Sequence, residues 1–408
     1  MRHRIVAPFA VALLAACASA PQTPSMASQS KDQKQDYRYS TPETPFSVGS
    51  IPMATLHDAQ RNKDLNMAIE YPTRGGPYPV IVFSHGYGSS SEGYVALTEY
   101  WTGHGYIVIK PSHADANLLR RILADRREAR RARLEELRTS GKSRKEIQAE
   151  EAKRPEETIG ESLWEKETPA AWENRAKDIE LILDNLATLQ DKYPELKGKM
   201  DTTKIGVAGH SYGAFTTMLV TGASSSKLNT AFNDPRIKAA IAMSPQGIGD
   251  QYGLTAESWK NVKTPILFMT GSLDSGIVNH DDPKWRHDPF QYSPAGDKYF
   301  ISFEGARHTT FTGGLGIFGE DFEIGEATYT TRPMTDQYGR DVYVQERTPG
   351  REKGENAFLR DRNIFSAIKS ASLTFWDAYL KGDKSAKEKV TGKDFEQLNG
   401  GHVTVEKK

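Results

Sequence analysis

The sequence predicts an α/β fold in which a mostly parallel central sheet carries helices on both faces. Short apolar segments rich in Val, Ile and Phe recur along the chain, and longer segments with helical spacing separate them. Several of the short segments are apolar without alternation, which is typical of parallel strands that are covered on both faces. Strands that alternate with helices favour such a layered architecture. We expect one domain of this kind over residues 46–385, followed by a C-terminal tail over 386–408.

The strands are predicted from their apolar patterns. LNMAIEY alternates apolar and polar side chains and therefore suits a half-buried strand near a sheet edge. The other predicted strands are PVIVFSHG, YIVIKPS, KIGVAG, KAAIAMSP, PILFMTGS and YFISFEG.

Two longer segments are predicted as helices that pack on the sheet. The first is predicted over residues 171–189. Thr168 and Pro169, just before it, supply a cap and a first-turn proline. Residues 363–382 form the second helix, which Gly382 ends. The apolar faces consist of Ile179, Ile182, Leu183, Leu186 and Leu189 in the first helix and Ile364, Ile368, Phe375 and Tyr379 in the second.

The composition allows a sizeable core and argues against a nucleic-acid partner. Hydrophobic residues make up 37% of the 408 residues, and 53 Lys and Arg balance 53 Asp and Glu. A net charge of +0 provides no field that would draw the chain to nucleic acid. Because the chain has 1 cysteine, Cys17, its domain cannot depend on disulfides.

The first residues resemble a bacterial lipoprotein signal peptide. The basic start MRHR precedes IVAPFAVALL, an apolar stretch too short for a permanent membrane helix. LAAC then matches a lipobox that ends at Cys17, whose thiol would receive a lipid. We expect a signal peptide over 1–17, a disordered polar tether over 18–45 and a lipid anchor to the membrane of a bacterial cell envelope, on the periplasmic or outer-membrane side. Secretion after an Ala-x-Ala site is the alternative.

A strongly charged segment interrupts the alternation of strands and helices. Residues 118–168 mix both signs of charge with good helix formers, and Thr139-Ser140-Gly141 breaks the pattern. We interpret the segment as an inserted helical hairpin. One interpretation is a solvent-exposed insertion without a function. The other is a lid over the site, since insertions at the carboxyl end of a parallel sheet lie where ligands bind.

The pentapeptide GHSYG lies between a predicted strand and a helix-like segment, at residues 209–213. A nucleophile elbow requires a strand, a sharp turn with little room for side chains, and a helix. In that geometry the serine hydroxyl stands clear of the sheet, beside the N–H group of the next residue. Ser211 is therefore the candidate nucleophile, and Tyr212 is a candidate oxyanion donor. The alternative is a glycine-rich turn that holds a serine by chance.

The acid and base of such a site should follow the serine, each just past a strand. Asp274 follows PILFMTGS, and His308 follows YFISFEG. The other histidines fit less well, because His85 precedes the serine, His280 and His287 lie in a polar loop, and His402 lies in the tail. The rival carboxylates are Asp250, Asp281, Asp282 and Asp297.

A second oxyanion donor is expected in the loop after the strand PVIVFSHG. Gly86 and Gly88 flank Tyr87 there and would let the backbone approach a substrate. An ordinary glycine-rich strand end is the alternative.

These motifs resemble those of the α/β-hydrolase superfamily, and most of all the platelet-activating-factor acetylhydrolase-like and dienelactone-hydrolase-like group, which neighbours cutinase-like polyester hydrolases. The similar segments are VIVFSHGYGSSSEGYVALTEYWTGHGYIVIKPSHADA, IGVAGHSYGAFT, TPILFMTGSLD and LTFWDAYLKGD. The resemblance implies the α/β-hydrolase fold, with Ser211 as nucleophile, His308 as base, Asp274 as orienting acid, and the amides of Tyr87 and Tyr212 as the oxyanion hole.

The chain departs from this pattern at the sixth strand. Animal acetylhydrolases carry the acid there, whereas this chain has Ser244 and Pro245 in AIAMSPQG. The acid should therefore follow the seventh strand, as in the other branches of the group. Dienelactone hydrolases use a cysteine nucleophile, which this domain lacks. The position of the acid weakens the expectation of acetylhydrolase activity in particular.

We expect a serine ester hydrolase that forms an acyl-enzyme and acts on a lipid, polyester or small ester. An amidase, peptidase or thioesterase on the same residues is an alternative, and so is a non-catalytic lipid-binding lipoprotein. No cofactor or metal is expected. The segment NHDDPKWRHD, residues 279–288, contains possible ligands but lacks a recognised spacing, so we interpret it as a surface loop.

Overall fold

The structure is a computed structural model. In its described part, a nine-stranded sheet forms the middle layer. Its strands are β1 (Val48–Asp58), β2 (Lys63–Pro72), β3 (Tyr78–Ser84), β4 (Ile107–Pro111), β5 (Met200–His210), β6 (Ile237–Met243), β7 (Ile266–Leu273), β8 (Lys298–Arg307) and, at the C-terminus, β11 (Val403–Lys407). They lie in the order β1-β2-β4-β3-β5-β6-β7-β8-β11. Strands β3 to β8 are parallel to one another, and β1, β2 and β11 pair antiparallel with their neighbours. Two further strands, β9 (Thr328–Thr335) and β10 (Asp341–Thr348), form a separate antiparallel pair.

The structure describes residues 44–143, 145–146, 168–275, 282–313, 328–335, 341–348, 354–391 and 403–408. All of them belong to one unit of the chain, Arg38–Lys408. The expected signal peptide over 1–17, and all but the last two residues of the expected tether over 18–45, lie outside the described residues.

Helices cover both faces of the sheet. They are α1 (Val95–Gly103), α2 (Leu118–Thr139), α3 (Pro169–Asp184), α4 (Leu186–Lys192), α5 (Tyr212–Val220), α6 (Asp288–Tyr292), α7 (Gly354–Trp376) and α8 (Lys384–Thr391). On one face, α3, α4 and α5 pack over the sheet, and on the other face α1 and α7 do so. The alternation of β3 shows both layers, since Val80 and Val82 point to the first and Ile81 and Phe83 to the second. The fold predicted from the sequence is confirmed.

The predicted helix over 171–189 is divided in two. Asn185, with φ −114° and ψ 18°, ends α3 and precedes α4. All five apolar residues of the predicted face are nevertheless buried in the core. The helix start is as predicted, because the Thr168 hydroxyl accepts a hydrogen bond from the Ala171 amide at 3.2 Å and Pro169 stands in the first turn.

The first half of the charged segment 118–168 is helix α2, which ends near Ser140 and Gly141. The predicted second helix of the hairpin falls mostly on residues 147–167, outside the described residues. Among the helices that the structure describes, none is both long and apolar enough to cross a membrane.

The two ends of the sheet were incompletely predicted. Strand β1 was missed, because Gly49 and Pro52 weaken its strand pattern; both are tolerated there since β1 is an edge strand. The C-terminal tail over 386–408 needs correction as well. Its last residues form β11, which pairs with β8 from Val403↔Phe303 to Lys407↔Tyr299, so the domain extends past residue 385.

The turn between β5 and α5 packs very closely against the end of β3. A Cβ atom added to Gly213 would lie 1.9 Å from the carbonyl oxygen of Ser84, and one added to Gly209 would lie 2.2 Å from the carbonyl oxygen of Gly213. Both distances are far below van der Waals contact, so these positions accept only glycine. The turn thereby fixes Ser211 beside the loop that follows β3.

We predict that β11 contributes to stability on one face only. Val405 packs against the core cluster that includes α7, whereas the neighbouring Thr404 is exposed. Val405→Asn should lower the free energy of unfolding by about 1–2 kcal/mol, and Thr404→Asn by less than about 0.5 kcal/mol. Urea unfolding measures both. Equal effects of the two variants would mean that this segment is a tail.

We predict that Gly213→Ala lowers the free energy of unfolding by more than about 3 kcal/mol, because the backbone of β3 would have to move. Gly198→Ala is the control. Gly198 has φ +69° but no atom within 4 Å of the added Cβ, so that variant should cost only about 1–2 kcal/mol of backbone strain. Soluble yield and urea unfolding distinguish the two, and a Gly213→Ala protein as stable as the Gly198→Ala protein would contradict the close approach.

Candidate active site

Ser211 stands in the sharp turn between β5 and α5. Its φ of 56° and ψ of −118° are rare for a residue with a side chain. The surrounding structure holds this conformation, because the Ser211 amide donates to the Met243 carbonyl oxygen at 2.9 Å and the flanking glycines leave room for the turn. Strain that is held so firmly is typical of functional positions.

The structure brings Asp274 and His308 together at the neighbouring strand ends. In the ladder between β7 and β8, Leu273 is paired with Arg307, so the next residue of each strand lies beside the other. His308 Nδ1 is 2.8 Å from Asp274 Oδ1. The carboxylate can only accept, so Nδ1 donates and the proton-free Nε2 of the neutral ring is available as a base.

Asp274 is fully buried and remains a carboxylate. Burial alone would raise its pKa, but the charge of Arg286 and the interactions with His308 hold the pKa of Asp274 well below its usual range. The Thr270 hydroxyl donates to Asp274 Oδ2 at 3.0 Å. These contacts fix the orientation of the carboxylate that receives the imidazole N–H.

The rival carboxylates that the structure describes are elsewhere. Asp297 stands at the opposite end of β8 and accepts from Tyr379 and Lys387. Asp250 is exposed in a turn, and Asp282 is exposed and caps the turn at Lys284. Asp281 and His280 lie outside the described residues, as does His402.

His308 also reaches toward the nucleophile candidate. Its ring lies against that of His210, with 4.6 Å between centroids, and His210 directly precedes Ser211. In the part of the chain that the structure describes, no hydrogen bond joins Ser211 to His308. Such bonds commonly tighten only in the complex with substrate.

The expected oxyanion residues also meet. The rings of Tyr87 and Tyr212 are 5.4 Å apart, and Tyr212 begins α5 immediately after Ser211. The amides on either side of Tyr87 are anchored, since Gly86 N–H donates to the Tyr94 hydroxyl at 3.1 Å and Gly88 N–H donates to Asp115 Oδ2 at 2.9 Å. The loop after β3 is therefore held rigidly against the turn that carries Ser211.

The loop after β3 is held by Arg175, a residue of α3 that the sequence did not single out. Its guanidinium donates to the His85 carbonyl oxygen at 2.7 Å and to both oxygens of Asp115 at 3.0 and 2.7 Å. It also lies 4.1 Å above the centre of the Tyr212 ring. Although burial would raise the pKa of Asp115, the charge of Arg175 keeps it far below its usual range. Arg175 thus connects the β3 loop to the first turn of α5.

A second Ser–His–Asp arrangement lies beneath this loop. Ser84 Oγ is 2.9 Å from His113 Nε2, and His113 Nδ1 is 3.0 Å from Asp178 Oδ2. Asp178 has no exposed surface, and its pKa is lowered to about 2 because the interactions with His113 and Lys63 outweigh its burial. Ser84 and His113 are also buried. Since no substrate carbonyl can reach these groups, we interpret this arrangement as a support for the loop.

Two further histidines support the same loop. His85 Nδ1 donates to the Gly86 carbonyl oxygen at 2.7 Å, and its Nε2 accepts from the His113 amide at 3.2 Å. The Tyr94 hydroxyl donates to His210 Nδ1 at 2.8 Å. Burial first, and then neighbouring positive charges, lower the pKa of His85 and of His210 well below the usual value. Both rings are therefore neutral supports.

The interpretation of segment 279–288 as a surface loop needs correction at Arg286, and residues 279–281 lie outside the described residues. The described part of the segment forms a 3-10 turn, Pro283–His287, followed by α6, and Arg286 within it is buried against Asp274. Local sequence gives no sign of this, because the groups that Arg286 contacts lie at the ends of β6 and β7. Among the described residues, no three of His, Cys, Asp and Glu are grouped as metal ligands.

Comparison of the sequence with known proteins identifies a matching family. The chain matches the family described as "Platelet-activating factor acetylhydrolase, isoform II" over residues 53–313, which include Ser211, Asp274 and His308. It is also 23% identical over 237 residues to a platelet-activating factor acetylhydrolase of Cavia porcellus, an alignment that covers 58% of this chain and 49% of that relative. The alignment thus spans about half the length of this curated relative.

The described sheet, with its six parallel strands between antiparallel edges and helices on both faces, has the architecture of the α/β-hydrolase superfamily, and the family match covers most of it. The chain belongs to the platelet-activating factor acetylhydrolase isoform II family of that superfamily.

Proposed function

We propose that the protein is a serine ester hydrolase that acts on a lipid ester or a related carboxylic ester. The observation that carries this proposal is the buried Asp274–His308 pair, at 2.8 Å, on the same end of the sheet as the strained turn of Ser211. Membership of a family of hydrolases that act on ester bonds supports the same reaction class. The name of the Cavia porcellus relative, an acetylhydrolase, makes an acetyl ester the first substrate to test.

In the proposed reaction, Ser211 Oγ attacks the ester carbonyl carbon while His308 Nε2 takes its proton. Asp274 holds the ring with Nδ1 as the protonated nitrogen and stabilises the imidazolium that forms. The imidazolium then gives its proton to the leaving alcohol, and an acyl-serine remains. Water, activated by the same imidazole, releases the carboxylic acid and restores the serine.

The proposed oxyanion hole consists of the main-chain N–H groups of Tyr87 and Tyr212. The negative oxygen of the tetrahedral intermediate would lie between the loop after β3 and the first turn of α5. The helix dipole adds positive potential at that point. Anchoring of the loop by Arg175, Asp115 and Tyr94 supports this role, because donors that need no reorganisation stabilise a developing charge most effectively.

An amidase, peptidase or thioesterase would use the same groups, so the substrate bond needs its own test. Matched p-nitrophenyl esters and anilides of one acyl group compare ester with amide hydrolysis. A series of p-nitrophenyl esters of increasing chain length then measures the preferred acyl group.

We also propose that the protein is anchored in a bacterial cell envelope by a lipid on Cys17. The support is the order of basic start, short apolar stretch and LAAC in residues 1–17. A lid function of the insertion over 118–168 is a further proposal. It is supported by helix α2, which follows β4 and therefore starts at the carboxyl end of the parallel strands.

We predict that Ser211→Ala lowers kcat for ester hydrolysis by on the order of 10⁴ to 10⁶ while the protein stays folded. Ser226→Ala, a change at an exposed serine away from the site, should leave kcat unchanged. A fluorophosphonate should label the wild type at Ser211 and leave Ser211→Ala unlabelled. Retention of a tenth of the wild-type rate by Ser211→Ala, or a label on another residue, would refute the assignment.

We predict that Asp274→Asn lowers kcat by roughly 10² to 10⁴, because an amide lets His308 adopt the other tautomer. Asp297→Asn is the matched control, since that carboxylate is anchored at the far end of β8. It should retain wild-type kcat even if its melting temperature falls. The opposite ranking of the two variants would move the acid to another position.

A further inference from the structure

Arg286 is a cation buried at the meeting point of three strand ends. Its side chain is 2% exposed, in the turn between β7 and α6. The guanidinium donates to four main-chain carbonyl oxygens, those of Ser244 at 2.7 Å, Pro245 at 3.0 Å, Asp274 at 2.7 Å and Ser275 at 3.0 Å. It therefore connects the loop after β6 to the loop after β7, which carries the acid.

The same guanidinium contacts both members of the acid–base pair. Its Nε lies 3.0 Å from Asp274 Oδ1, the oxygen that accepts the imidazole proton. One of its terminal nitrogens lies 3.2 Å from His308 Nδ1. Because the Nδ1 proton points to the carboxylate, this second approach places a positive charge beside the ring and is not a hydrogen bond.

The position of this charge has a consequence for the base. In a pair without a nearby cation, the carboxylate strongly favours the protonated imidazole. Here Arg286 opposes that effect, since a terminal nitrogen of its guanidinium lies 3.2 Å from His308 Nδ1, against 2.8 Å for Asp274 Oδ1. Among the described residues, the other titratable side chain that faces His308 is His210, which burial keeps neutral. The balance between Asp274 and Arg286 thus decides the charge that His308 experiences.

We propose that Arg286 is a positioning residue that holds Asp274 in place through its fork of hydrogen bonds and extends the active range of the enzyme to lower pH through its charge. The inference rests on the proposed function, because it concerns the acid–base pair of the same site. It assigns the two roles to different properties of one side chain, which two substitutions can separate.

Arg286→Lys keeps the charge but cannot form the fork, so it should lower kcat about 10-fold with little change in KM, while the acidic limb of kcat/KM stays within about 0.3 pH units. Arg286→Met loses both, so kcat should fall about 10- to 100-fold and the acidic limb should move about one pH unit higher. The rates are measured from pH 4.5 to 9 on a soluble acetyl ester and normalised to the fraction that a fluorophosphonate labels.

Arg236→Met is the matched control, because Arg236 also pairs with carboxylates, Asp234 and Asp184, but at the start of β6 far from the site. Its rate and pH profile should equal those of the wild type. A second measurement needs no turnover: the low-field proton resonance of the His308 Nδ1–H group, assigned by its loss in His308→Gln, should titrate at higher pH in Arg286→Met than in the wild type.

An unmoved acidic limb and an unmoved proton titration in folded Arg286→Met would overturn the charge role. Wild-type kcat in Arg286→Lys would overturn the positioning role. If Arg286→Met does not fold, Arg286→Gln, which also lacks the charge, carries the test of the charge role. A wild-type protein that neither hydrolyses esters nor reacts with the fluorophosphonate would refute the proposed function instead, and the proton titration would still decide on Arg286.

Discussion

The backbone at the end of β3 packs directly against the turn after β5, and this close approach fixes the geometry of the candidate site. Gly213 lies so near to the Ser84 carbonyl oxygen that a methyl group cannot be inserted between them. The contact fixes Ser211 and the first turn of α5 on one side and the loop with Tyr87 on the other. Donors for an oxyanion need such fixed positions, because any reorganisation during the reaction would cost part of their effect.

Buried arginines hold the loops on both sides of this arrangement in place. Arg175 connects the loop after β3 to Asp115 and Tyr212, and Arg286 connects the loops after β6 and β7 to Asp274. Buried ion pairs of this kind add little net stability, since desolvation of the charges offsets their attraction. They do select one geometry, because removing either partner leaves a buried charge without compensation. The two guanidinium groups are therefore better understood as determinants of the site than of the fold.

The sequence predicted those parts of the structure that depend on local pattern. The parallel strands have continuous apolar runs, and Asp274 and His308 each follow one of them, so their placement at one end of the sheet could be expected. Strand β1 and strand β11 were missed because Pro52 weakens the first and charged residues surround the second. The roles of Arg175 and Arg286 were not visible, because a charged residue in a polar segment is usually exposed. Their burial depends on acceptors that lie far away in the chain, and no local pattern reports such acceptors.

The position of Asp274 after β7 depends on an irregularity in the sheet. Between Gly271↔Phe303 and Leu273↔Arg307 the register of β7 and β8 shifts, so that β8 advances by four residues while β7 advances by two. Gly271 permits the shift, since a Cβ atom there would lie 2.2 Å from the Ala306 carbonyl oxygen. The shift brings the residues after Leu273 and Arg307 side by side. At the end of β6, the Ser244 carbonyl oxygen accepts from Arg286. Arg286 therefore connects the ends of β6 and β7 and also compensates the buried charge of Asp274, whose place depends on this register shift.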